Sequence, residues 1–210
     1  MWLCFGTIAV AGIAARAAVG RLLILLGVFA PALAAAWQTV RRTGASGLRD
    51  LLGRTLRGNV PGRYWALAAG FMAAVKLAVA LLHRAVLGAW PRFGADPWYV
   101  IAGAIVLSTP FQAGEEIGWR GFALPRLADH LGLRAASLVL GAIWAVWHLP
   151  QFFLPEADTY RQSFPVFMLQ VIALSVALAW VYARTKGSLL LVMVMHAAVN
   201  NAKDVVPSAS

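Results

Sequence analysis

The chain has 210 residues, of which 61% are hydrophobic and only 12% charged, and its mean hydropathy is +0.73. Soluble domains carry roughly a quarter charged residues, so the composition excludes an ordinary soluble fold and marks an integral membrane protein. The formal net charge of +10 comes with no basic stripe interleaved with aromatics; the arginines sit in short gaps between apolar runs, which argues against a nucleic-acid partner and for a topology signal.

With a spanning window of about twenty residues, apolar stretches run over residues 2–15, 22–37, 64–90, 98–124, 133–154, 164–182 and 188–206. The expected fold class is all-α, a polytopic bundle of about seven transmembrane helices, with residues 1–210 as a single membrane domain. The first stretch has no basic residues ahead of it, and Arg16 and Arg21 follow it, so it reads as a span and not a signal peptide. Segment 38–63 carries Arg41, Arg42, Arg49, Arg54, Arg57 and Arg63 against Asp50 alone, which the positive-inside rule assigns to the cytoplasm. Alternation then puts the turns at 125–131 and 184–186 on the same side and 155–161, with Glu156 and Asp158, outside. Arg16 and Arg21 fall outside in this scheme, against the rule. No repeat, low-complexity linker or second domain is visible.

Cys4, the only cysteine, excludes an internal disulfide and a thiolate metal site. Fifteen arginines against three lysines, with abundant alanine, point to a GC-rich genome and hence a bacterial plasma membrane. Trp90, Trp98, Trp119, Trp144, Trp147 and Trp180 read as interface anchors or packing groups. His83 and His130 sit among loop charges and receive no role.

Glu115 and Glu116 follow directly on the apolar run that ends at Phe111, in a chain with eight acidic residues. A charge at the centre of a spanning helix costs about 2.5 to 3.5 kcal/mol on insertion scales, so such carboxylates are paired, line a cavity or do chemistry. On a helix Glu116 and Arg120 are four apart in the favourable order for an ion pair. Glu115 points about 100° away, which leaves one carboxylate neutralised and the other free for water. A buried pair that only holds the helix is the plain reading of Glu116 and Arg120. Gly114, Gly118 and Gly121 allow a neighbouring helix close approach.

His148 ends an apolar stretch just before Pro150, where a histidine is often an interfacial cap. His196 and Asn200 share a helical face, and either could simply bond another helix. Depth argues for more. At 1.5 Å per residue, Glu115 lies roughly 15 Å from the 125 turn, His148 roughly 20 Å from residue 133, and His196 and Asn200 roughly 15 and 20 Å from the 186 turn. One acid, two imidazoles and an amide therefore reach a similar level and can converge if the three helices are neighbours. Such a set suits hydrolysis: Glu115 takes a proton from water, a histidine assists or returns it to the leaving amine, and Asn200 with the second imidazole donates to the oxyanion. Glu115, His148 and His196 also match a catalytic zinc site with an open fourth position, and the sequence leaves the two mechanisms open. The H-E-x-x-H signature is absent.

The strings Glu115-Glu116-Ile-Gly-Trp119-Arg120-Gly121, Trp144-x-x-x-His148 and His196-x-x-x-Asn200 resemble, in order and separation, the three motifs of the CAAX protease and bacteriocin-processing family, also called the CPBP or Abi family. The resemblance covers about residues 22–201, with a motif-bearing core at 98–203. It implies an all-helical intramembrane endopeptidase whose cavity opens into the membrane and toward the cytosol, and whose eukaryotic members trim prenylated CAAX proteins. Carried over, the water-activating base falls on Glu115, the second motif's histidine on His148, and the third motif's pair on His196 and Asn200. Trp144 stands where phenylalanine is usual. In a bacterium the resemblance points to membrane peptides or bacteriocin immunity, and the chain, ending Pro207-Ser-Ala-Ser210, has no CAAX box of its own. A non-catalytic scaffold or immunity protein and a proton-coupled carrier are the competing expectations.

Overall fold

A computed structural model describes residues 1–202, within which every regular element is helical. The end of the last apolar stretch and the residues bearing on a C-terminal CAAX box lie outside the described residues. The elements are α1 (Trp2–Ala11), α2 (Ala18–Gly53), α3 (Gly62–Leu87), α4 (Trp98–Ser108), α5 (Ala113–Glu116), α6 (Leu124–His148), α7 (Phe164–Arg184) and α8 (Leu189–Asn201). Proline starts several of them. Pro61 and Pro97 immediately precede α3 and α4, and Pro165 occupies the first turn of α7, where the missing N–H would have no intrahelical partner. Ser188 caps α8 by accepting the Leu191 N–H at 3.2 Å, which satisfies a free first-turn donor.

Four helical runs are long and apolar enough to cross a membrane: Ala18–Leu56, Gly62–Leu87, Trp98–Phe153 and Phe164–Arg184. The third holds two of the expected stretches, because its 56 residues break at Gly132, whose φ of 72° and ψ of 158° lie where only glycine sits without strain. The expected reversal at 125–131 is therefore helix, and the chain turns at Gly132. Segment 38–63 differs likewise: α2 continues to Gly53, with its break at Gly44, before a short 3-10 turn at Arg54–Leu56. Two of the seven apolar stretches form shorter helices. The ten residues of α1 rise about 15 Å and the thirteen of α8 about 20 Å, against a hydrocarbon core of about 30 Å.

The bundle has two polar ends. At one, Arg57 donates to the Lys186 carbonyl at 2.5 Å, Arg54 to the Tyr182 hydroxyl at 3.0 Å, and Ser188 to the Arg57 carbonyl at 2.6 Å. The segment after α2 and the α7–α8 turn thus share an end, as alternation required. At the other, the Ala15 N–H donates to Glu156 at 2.6 Å, and the Trp2 indole reaches the Val146 carbonyl at 3.2 Å.

The main core lies where α2, α6, α7 and α8 meet, around Trp144, Leu140, Leu178, Leu191 and Met195. Its closest backbone approach is at Gly118, where an added Cβ would fall 2.5 Å from Pro31 Cβ and 2.6 Å from the Pro31 carbonyl. That contact seats α2 against the segment carrying both glutamates, as the spacing of small residues led us to expect.

Candidate active site

The two glutamates end α5, and the next seven residues, Ile117–Ala123, wind as a π-helix. π-Turns are rare and cluster at functional sites. Here the segment leaves Glu115 and Glu116 in different company.

Glu116 and Arg120 are both fully buried, and Arg120 Nη1 donates to the two oxygens of Glu116 at 2.8 and 3.1 Å. His196 Nδ1 stands 2.7 Å from Glu116 Oε1; a carboxylate accepts, so the ring donates. Glu116 is thus compensated from two sides.

Glu115, 8% exposed, faces α6. Its Oε2 accepts the Trp144 indole N–H at 2.7 Å, and His148 Nε2 lies 3.9 Å from the same oxygen. Among the described residues no hydrogen bond reaches Oε1. His148 Nδ1 lies 2.8 Å from the Trp144 carbonyl. That oxygen only accepts, so Nδ1 carries a hydrogen; in the neutral ring Nε2 is then bare and turned toward Glu115. The 3.9 Å gap is too long for a hydrogen bond and is of the size one water molecule bridges. Around it stand Trp147, Trp144 and Phe167, with ring centroids 4.8, 5.6 and 5.5 Å from that of His148.

α8 closes the site. His196 sets its ring edge-on to Trp144 at 5.3 Å, Asn200 points its amide at Gln112 Oε1 at 3.4 Å, and Asn201 donates to Ser108 at 2.7 Å. The expected side chains therefore meet in two linked groups. Glu115 faces His148 and Glu116 holds His196, while Asn200 bonds Gln112, one turn before Glu116 in the sequence.

Residues 95–202, just over half of the chain, match the family described as Type II CAAX prenyl endopeptidase Rce1-like. The chain belongs to this family. A curated relative described as CAAX prenyl protease 2, from Methanococcus maripaludis, is 25% identical over 137 residues, which are 58% of this chain and 51% of the relative. The chain spans about half the length of the curated relative it matches.

In this Rce1-like chain, Glu115, His148 and His196 are the residues the sequence offered to a metal, alongside a metal-independent mechanism that it left equally open. Among the described residues no three His, Cys, Asp or Glu side chains are grouped as metal ligands. Nδ1 of His148 and of His196 is engaged by the Trp144 carbonyl and by Glu116, and Glu115 Oε2 by the Trp144 indole, so a metal here would have the two Nε2 atoms and Glu115 Oε1 as its ligands.

Trp144 was read from the sequence as an anchor or packing group. It is 2% exposed and bonded to Glu115. The available signal was its i, i+4 spacing from His148, which sets both on one helical face. Gln112 is a second site residue that sequence reasoning missed; it precedes Glu116 by the same spacing.

Proposed function

We propose that the chain is an intramembrane endopeptidase that hydrolyses peptide bonds of membrane-associated or lipidated substrates. The observation that carries this reading is the Glu115–His148 pair. A carboxylate oxygen and an imidazole Nε2 face each other at 3.9 Å in an aromatic-walled site, while the adjacent carboxylate is fully compensated. Glu115 takes the proton of a water held between it and His148, and the hydroxide adds to the scissile carbonyl carbon. As the C–N bond breaks, the proton passes to the leaving amine from Glu115 or His148. Asn200 and His196 donate to the oxyanion, work worth about 2.7 to 4 kcal/mol per donor in a dry site. An imidazolium at His196 donates from both nitrogens, to Glu116 and to the oxyanion.

Residues 98–203 act in this reading as the catalytic core, with the earlier helices as its support. The end that gathers Arg54, Arg57 and Lys186 faces the cytoplasm, in a bacterial plasma membrane. The membership in an Rce1-like family and the likeness to a CAAX prenyl protease support peptide hydrolysis.

The test compares wild type with Glu115→Gln, reconstituted in liposomes, on a prenylated CAAX peptide and on unlipidated membrane peptides, with neo-termini read by mass spectrometry. Cleavage by wild type that falls about 100-fold or more in the variant, the usual scale for a general base, establishes hydrolysis and the substrate class together. Equal products from both proteins would overturn the role of Glu115 and favour a non-catalytic scaffold.

A further inference from the structure

The two linked groups of the site converge on one side chain. The Trp144 N–H holds Glu115 Oε2 at 2.7 Å, and its backbone carbonyl takes the His148 Nδ1–H at 2.8 Å. Its ring stands edge-on to His196 at 5.3 Å and carries the Arg120 guanidinium over its face, with Cζ 4.1 Å from the ring centroid. Arg120 is wholly buried, and among the described residues its Nε and Nη2 have no hydrogen-bond partner. The indole face is the group they meet, since a cation over the strongest π-donor among side chains recovers part of what the missing bonds cost. Trp144 thus touches the base, both imidazoles and the cation that compensates the second carboxylate.

We propose that Trp144 is a positioning residue for the hydrolytic reaction: its indole N–H fixes the Glu115 carboxylate opposite His148 and leaves Oε1 to work on water. This rests on the protease reading above. A carboxylate on three rotatable bonds does not hold a 3.9 Å partner unaided, and pre-setting such geometry is where a large part of catalysis resides. Phenylalanine at this position would keep an aromatic ring beside Arg120 and the histidines but could not supply the donor.

The experiment measures kcat and KM of wild type, Trp144→Phe and Glu115→Gln in liposomes on one cleaved peptide, with thermal unfolding of each. Loss of a hydrogen bond to a charged group predicts kcat lower by about tenfold to a hundredfold in Trp144→Phe, with KM and the unfolding temperature near those of wild type. Turnover by wild type with an unchanged kcat in Trp144→Phe overturns the positioning role and leaves the protease reading standing. No turnover by wild type removes the protease reading, and the inference with it. A second measurement leaves position 144 intact: in protein labelled with 15N-tryptophan, one indole N–H proton resonance moves upfield in Glu115→Ala and stays in place in Asn200→Ala. If no indole resonance responds to Glu115→Ala, the proposed bond is absent and the inference fails.

Discussion

Neighbouring glutamates with identical side chains differ here because one helical step separates their surroundings. Glu116 has a guanidinium and an imidazole; Glu115 has an indole N–H and a bare nitrogen. Removing the cation alone, as in Arg120→Met, strands a wholly buried carboxylate, which costs about 3 to 5 kcal/mol when one partner of a buried pair is lost. Thermal unfolding in detergent should show that loss, while Glu115→Gln, which keeps an oxygen for Trp144, melts close to wild type. The split between the two acids was legible in the sequence because it is local: four residues bring Arg120 over Glu116 on any helix. The bond from Trp144 was not, since it depends on α6 lying against α5, and nothing in residues 113–120 announces which helix comes near.

Helix positions followed hydropathy, but helix ends did not. Charged and polar residues at 38–53 looked like a loop, yet α2 runs through them, because arginine and leucine are good helix formers once the apolar stretch has nucleated the helix. Reversals fell instead where backbone dihedrals demand glycine, at Gly44 and Gly132. The small-residue spacing around Gly118 was a better guide, and it identifies a contact that tolerates no added atom. Gly118→Ala places a methyl 2.5 Å from Pro31 Cβ and against the Pro31 backbone. Overpacking of that kind costs about 1 to 3 kcal/mol. The unfolding midpoint should fall, and kcat with it, as the π-helical segment shifts the glutamates. An unchanged midpoint would show that α2 simply moves away.

At the scale of the whole molecule, Arg54, Arg57 and Lys186 gather at one end, while Glu156 lies beside Ala15 and Arg16 at the other, and the positive-inside rule, which Arg16 and Arg21 oppose, turns the larger cluster into an orientation. In a Cys4→Ala background, a cysteine at Ser46 should react with an impermeant maleimide only in inverted vesicles, and one at Gln162 only in intact spheroplasts. Reversed labelling would put the arginine-rich end outside and overturn that orientation. The two groups of the site also differ in how far apart in the chain their partners lie. Trp144 and Glu115 are 29 residues apart on one hairpin bent at Gly132, whereas His196 is 80 residues from Glu116. During synthesis the hairpin leaves the ribosome first, so the base meets its indole before α8 exists. A nascent chain stalled ahead of α8 would hold Glu115 already set, with Glu116 still waiting for the imidazole that α8 brings.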